Sequence, residues 1–269
     1  MLSHASSQEI PATVIRVEDL SCGYPGRSVL NNISFCVKAG EFVGLLGPNG
    51  SGKTTLLLAL SGVVAIESGE IEIDGRSLSR LKHRERACRM AVVAQETEVR
   101  FPFSCAEVVR MGRYPHQKRW QMESPADSAA VQRALQLTDT EALADRLITA
   151  ISGGEKQRVL AAKALAQDAP VLLLDEATSA MDIHRKLQIF RVLKSLNQEQ
   201  GLTIIAVLHD INLAALFCER LMLLKDGRIA ADGQTHAVMT SEVLKRVYET
   251  DVLVQEIAQT GKRQVIFLP

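Results

Sequence analysis

Residues Phe42–Leu60 read FVGLLGPNGSGKTTLLLAL: an apolar run, a glycine-rich loop Gly47–Thr54 (GPNGSGKT) and a second apolar stretch. Few folds accommodate that order. The apolar run must be a buried strand, and the loop must turn its backbone N–H groups onto an anion where the next helix begins. Gly47, Gly50 and Gly52 keep side chains out of the way of β- and γ-phosphates. Lys53 supplies a cation to those phosphates, and the Thr54 hydroxyl is placed for Mg2+. Pro48, Asn49, Ser51 and Thr55 complete the candidate binding loop.

A second stretch narrows the reading. Ile151–Glu176 reads ISGGEKQRVLAAKALAQDAPVLLLDE, a Ser152-Gly153-Gly154 turn opening a helix, then an apolar strand ending in Asp175-Glu176. The phosphate-loop pattern arises by chance in about one chain in a hundred of this length, a Ser-Gly-Gly triplet in about one in ten. Their order therefore carries more than either motif alone. Asp175, expected at the end of a strand beside the phosphate loop, is a candidate Mg2+ holder. Glu176 is the candidate base that orients and deprotonates an attacking water.

Composition excludes several alternatives. Among 269 residues, Lys plus Arg equals Asp plus Glu at 31 each, so no basic surplus points to nucleic acid. Uninterrupted apolar runs such as Ile204–Leu208 and Leu213–Cys218 fall far short of the ~20 residues a bilayer span needs. The opening MLSHASSQEIPAT has neither the basic start nor the apolar stretch of a secretory signal. Five cysteines without C-x-x-C spacing read as reduced thiols.

Strand signals at Val14–Val17, Val29–Val37, Phe42–Leu46, Glu70–Ile73, Met90–Ala94, Val171–Leu174 and Thr203–Leu208 alternate with helical segments at Thr54–Leu60 and Ile183–Leu196. Between Gln95 and Val171 the texture turns helical: Cys105–Met111 behind a Ser104 cap, Pro125–Leu137, Glu141–Arg146 and Glu155–Gln167. Leu221–Leu224 and Arg228–Ala231 bracket Asp226-Gly227, a hairpin signal. Glu242–Tyr248 reads as helix, Val252–Ile257 and Gln264–Phe267 as strands. The expected organisation is a flexible lead-in (1–12), an α/β core in two parts (13–95 and 170–232), an inserted helical subdomain (96–169) and a C-terminal appendage (233–269).

From about residue 14 to 232 the chain resembles the ATP-binding cassette (ABC) ATPases, on the strength of GPNGSGKT, ISGGEKQR and VLLLDE in that order. The resemblance implies an α/β fold with a mostly parallel RecA-like core, an antiparallel β subdomain and the helical insertion. It implies ATP and Mg2+ as ligands, with Tyr24 stacked on adenine, Gln95 touching Mg2+ and the attacking water, and His209 contacting the γ-phosphate and Glu176. Ser152, Gly153, Gly154 and Glu155 match the family's signature turn, which acts on the ATP of a second copy in a head-to-tail dimer. Asp182 matches the loop that links the two sites. Ile151, Glu155, Ala177 and Met181 depart from the family's commoner residues without removing a ligand.

Phe101-Pro102-Phe103-Ser104, Gly112–His116 and the tail Thr240–Val254 resemble the subfamily that serves iron-siderophore, haem and cobalamin importers. That implies peripheral attachment at the cytoplasmic face of the membrane, a separate transmembrane permease docking near 96–116, and indirect work with an external substrate-binding protein. Glu155-Lys156 also matches the soluble ABC ATPases of iron–sulfur cluster assembly, which stand as the alternative. A chromosome- or repair-type protein would need a long coiled coil between the motifs, where only ~100 residues lie. A translation-factor type would carry two cassettes.

Overall fold

The computed structural model describes residues 12–94, 101–117, 123–175 and 181–268. Strands β1 (Thr13–Tyr24) and β2 (Arg27–Lys38) precede β3 (Phe42–Leu46) and α1 (Lys53–Leu60). Next come β4 (Ile66–Ile73), β5 (Arg76–Ser77), α2 (His83–Arg89) and β6 (Met90–Val93). The helical insertion holds α3 (Cys105–Arg110), α4 (Pro125–Leu137) and α5 (Gly153–Ala166). The chain then runs through β7 (Val171–Asp175), α6 (Ile183–Gln200), β8 (Thr203–Val207), α7 (Ile211–Phe217), β9 (Arg220–Lys225) and β10 (Arg228–Gln234). Helices α8 (Thr235–Val238) and α9 (Ser241–Tyr248) and the hairpin β11 (Val252–Ile257) and β12 (Lys262–Phe267) complete it.

The central sheet has the order β10-β9-β3-β8-β7-β6, parallel except where β10 pairs antiparallel with β9. Its strands are apolar at successive positions because both faces are covered. In β7, Leu172 and Leu174 pack with α6 and α7, while Val171 and Leu173 face the side occupied by α1. Ile204 and Ala206 of β8 divide from Ile205 and Val207 in the same way. On the α6 face Phe190 lies between Phe42 and Phe217, at ring-centroid distances of 6.3 and 5.3 Å. A separate four-stranded antiparallel sheet, order β2-β1-β4-β5, covers the α1 face and shares its core.

Helices α3, α4 and α5 enclose a third core around Cys105, Val109, Val131, Leu135 and Val159. Each begins on a serine whose hydroxyl accepts a backbone N–H while an acid three residues on reaches back: Ser104 with Glu107, Ser124 with Asp127, Ser152 with Glu155. Asp127 has a further role. Its carboxylate accepts from Arg113 Nε at 2.8 Å, and Arg113 Nη1 donates to Ala166 O at 2.8 Å, both inside the subdomain.

Several sequence expectations need correction. Glu141–Arg146 is not a helix of that length; a single 3-10 turn spans Glu141–Leu143, stapled by Ala144 N–H to Glu141 O. Helix α2 went unforeseen because HRERACR buries none of its residues and has no apolar period. Helix α7 read only as an apolar run, since INLAALF is buried at Ile211, Leu213, Ala214, Ala215 and Phe217 and shows no polar face. The tail packs into the core, with Leu244, Val247, Val252 and Val265 joining the cluster around Phe190.

The Ser124 hydroxyl and then Arg113 hold the Asp127 carboxyl down, from 3.8 to about 2. A carboxylate depressed in the folded state contributes stability that is complete above its unfolded value and lost as pH falls through the folded one. Asp127→Asn should therefore cost about 3 kcal/mol at neutral pH, by leaving Arg113 buried without its counter-charge. It should also flatten the acid limb of a urea-unfolding series as pH falls from 3.8 toward about 2. A parallel acid limb in the variant would refute the assignment.

Candidate functional site

The loop after β3 is built by its neighbours as much as by its own sequence. Gly47 has φ 146°, and a Cβ there would come within 2.1 Å of Leu224 O on the adjacent β9. Gly50 (φ 79°) instead faces open space on the concave side. The β9–β10 turn holds the loop from behind: Gly227 N–H donates to Ser51 O at 3.2 Å, and Asn31 N–H donates to Gly227 O at 2.9 Å. Tyr248 of α9 shares a hydrogen bond with the Gly47 backbone, and burial pushes its phenol up to about 12. The appendage thus touches the loop.

Lys53 is buried at the head of α1, and its Nζ donates to Gly47 O and Pro48 O, each at 2.9 Å. Those carbonyls hold the ammonium under the loop, where the first turn of α1 presents N–H groups that the helix itself leaves without acceptors. Cation, N–H groups and dipole coincide there, which suits a polyphosphate. Beside Lys53, Thr54 Oγ1 donates to Asp175 Oδ1 at 3.2 Å. A hydroxyl and a carboxylate oxygen side by side form a hard donor set that fits Mg2+.

Asp175 reaches Thr54 from a strand that does not adjoin β3. Strand β7 is not next to β3; β8 lies between them. Helix α1 bridges the gap, because Leu56 and Leu57 pack in one cluster with Val171 and Leu173 of β7. The intervening β8 places another candidate. Leu208 N–H donates to Leu45 O at 3.1 Å, so His209 follows at the level of the phosphate loop.

Tyr24, Asn49, Gly50, Gly52, Lys53, Thr54, Thr55 and His209 line one cleft of ≈ 250 Å³. Arg27 and Val29 line it too, which sequence reasoning missed. The signal was present: Pro25-Gly26 turns the chain straight back from Tyr24, so the next residues must face the same side. Ser152, Gly153, Gly154 and Glu155 lie elsewhere, at the start of α5, and Asp182 caps α6 by accepting Arg185 N–H at 2.9 Å. Glu155 Oε2 accepts from both the N–H and the hydroxyl of Ser152 at 2.8 Å, and these bonds hold the Glu155 carboxyl below its ordinary range. Gln95 and Glu176 lie outside the described residues.

A phosphate loop between a central strand and α1, with a hydroxyl–carboxylate pair at its side and a histidine from the neighbouring strand, defines a nucleoside-triphosphate-binding α/β protein. The sequence model of the ABC transporter family matches residues 30–179. The chain belongs to that family and is one of its ATP-binding cassettes. It is 40% identical over 255 residues to the hemin import ATP-binding protein HmuV of Rhodococcus jostii, covering 95% of this chain and 86% of that one. It is 38% identical over 256 residues to the ABC transporter ATP-binding protein YvrA of Bacillus subtilis, covering 95% of this chain but spanning 58% of that protein's length. Among solved structures it resembles an inward-facing metal-chelate type ABC transporter (TM-score 0.82, 27% identity, 96% of this chain and 98% of that one). A dimeric bacterial ABC transporter cassette is also similar (TM-score 0.74, 30% identity, 82% and 98%).

Lys53→Met should weaken ATP binding by at least about tenfold, the loss expected for one charge-assisted contact in a closed site. The protective effect of ATP on thermal unfolding should shrink with it, by up to about 1.4 kcal/mol for each tenfold loss. An undiminished ATP-induced rise in Tm in the variant would remove Lys53 from the site.

Proposed function

We propose that this chain is the ATP-hydrolysing subunit of an importer that moves a metal chelate, such as a ferric siderophore or haem, or cobalamin through a separate membrane permease. The observation that carries it is the 40% identity to a hemin import ATP-binding protein along nearly the whole chain. The fold supports it through the metal-chelate type transporter, which matches end to end. Among the described residues no helix is long and apolar enough to cross a membrane, in keeping with a peripheral subunit at the cytoplasmic face. The iron–sulfur assembly reading rests on Glu155-Lys156 alone and is less well supported.

ATP enters the cleft with its adenine against Tyr24 and its phosphates on the loop 47–55. Thr54, Asp175 and Gln95 would hold Mg2+, which when bound would supply positive charge against the phosphates. Lys53 stabilises the negative oxygens. Glu176 accepts the proton of the attacking water, and His209 holds the γ-phosphate oxygens and orients Glu176.

The working unit is a pair of these chains. Ser152, Gly153 and Gly154 lie outside their own chain's cleft, as expected if they meet the ATP of a second copy, with Asp182 at the same interface. ATP joined to both chains favours the closed pair, and its hydrolysis removes that preference. The output passes to the permease, which in turn meets a substrate-binding protein on the far side. Its docking region includes Phe101 and Phe103, 68% and 36% exposed. A cleft of ≈ 380 Å³ lined by Leu58, Val63, His83, Val92 and Ala94 suits a partner's short helix.

Affinity capture of the tagged chain from detergent-solubilised membranes, with mass spectrometry of its companions, tests the importer assignment. A many-helix membrane protein is expected; recovery of only soluble cysteine-rich assembly proteins would overturn it. Glu176→Gln should bind ATP, lose turnover and accumulate as an ATP-dependent dimer in size-exclusion chromatography. Ser152→Arg should abolish hydrolysis while leaving the ATP affinity of the monomer unchanged. A large affinity loss in that monomer would mean that Ser152 serves its own chain's cleft.

A further inference from the structure

Between α4 and α5 the chain makes a tight turn at Thr138–Thr140 whose construction exceeds what a surface connection needs. Thr138 and Thr140 are fully buried and share a hydrogen bond of 2.8 Å between their hydroxyls. Thr138 Oγ1 also donates to Ala134 O at 2.9 Å, and Thr140 N–H to Leu135 O at 3.0 Å. Asp139 between them is forced into the left-handed region at φ 52°, which aims its carboxylate outward from a fixed base. Two arginines converge on it. Arg158, buried in α5, donates to Asp139 O at 2.5 Å and lies 3.4 Å from Asp139 Oδ2. Arg185 of α6 donates to the same Oδ2 at 2.7 Å.

These arginines stand on the two helices that open with the proposed interface residues. Arg158 is less than two turns along α5 from Ser152. Arg185 is closer still to its interface residue, since its own backbone N–H caps onto Asp182 Oδ1. Apolar contact between α5 and α6 lies farther along both helices, where Ala161 and Leu165 face Ile189 and Leu193. A cleft of ≈ 240 Å³, lined by Ala134 and Leu137 of α4 and by Leu196 and Gln200 toward the far end of α6, separates the insertion from that part of the core. The Asp139 carboxylate therefore ties the helical insertion to the head of α6.

We infer that Asp139 is a positioning residue that holds the Ser152 turn and the Asp182 turn in register, so that both meet the second copy together. The inference rests on the dimer reading above. Asp139 touches no nucleotide. It acts through Arg158 and Arg185. Its side chain is 57% exposed and that of Arg185 38%, so the pair contributes little to stability. What it contributes is the relative orientation of two helix heads, and a mutual arrangement of that kind shows in association rather than in unfolding.

Asp139→Asn isolates the effect, because asparagine accepts left-handed backbone as aspartate does and only the charge is lost. In the full chain carrying Glu176→Gln, Asp139→Asn should weaken ATP-dependent dimerisation about five- to tenfold, within the usual range for coupling between sites. Without Glu176→Gln it should lower kcat by a similar factor while KM for ATP stays within about twofold, since the nucleotide cleft is untouched. Tm should shift by no more than about 2 °C. Arg185→Gln should reproduce the loss, and the double variant should be no worse than either single one. Wild-type dimerisation and turnover in Asp139→Asn would overturn the inference, as would losses that multiply in the double variant or that track a fall in Tm. If the parent Glu176→Gln chain itself does not dimerise with ATP, the dimer reading falls and this inference with it. If the parent dimerises and Asp139→Asn equals it, only the role of Asp139 falls.

Discussion

Burial of β3 on both faces is the constraint from which the rest follows. Phe42 and Leu46 face the α6 side, Val43 and Leu45 face α1 and the antiparallel sheet, and β8 and β9 flank the strand in the plane. A loop leaving such a strand starts from a fixed point and direction. That fixity lets a glycine-rich segment, entropically costly to order, hold Lys53 between two of its own carbonyls. The side chains aimed at a polyphosphate need not be gathered when the ligand arrives, and preorganised charge is the larger part of what such a site contributes.

The parallel strands bring their carboxyl ends to one edge, where open α/β sheets bind their ligands. Asp175 and His209 come to the phosphate loop for that reason alone; neither is near it in sequence. The antiparallel sheet supplies Tyr24, Arg27 and Val29 from the opposite side. The cleft is therefore a seam between two sheets, closed at the back by the β9–β10 turn and by Tyr248. The signature turn, with its own capped helix and its own small core, is held away from this seam. That separation is what the proposed head-to-tail pairing of two copies requires.

Much of this was legible beforehand. GPNGSGKT and VLLLDE announce a phosphate loop and an acid beside it because their residue types and spacing leave little other chemistry. The strands of the core were readable because full burial demands unbroken apolar runs. Helix α2 was not, because a helix lying on the surface with every residue partly wet carries no period. Helix α7 was ambiguous for the opposite reason, having too little polar face. The turn Glu141–Leu143 reads as a longer helix because local composition favours helix, whereas the carbonyls of Ala144 and Arg146 accept from Ala106 N–H and Cys105 N–H of α3 instead.

The sequence by itself determined which groups form the candidate phosphate loop, since a strand–loop–helix connection leaves Gly47, Lys53 and Thr54 no other place to go. It also determined the family, through three motifs in one order. Tertiary structure alone decided that β8 lies between β3 and β7 and that Asp139 joins α5 to α6. Those outcomes depend on which surfaces pack across the sheet and across the insertion's boundary. Such packing is set by the summed burial of residues far apart in the chain, which no local pattern records.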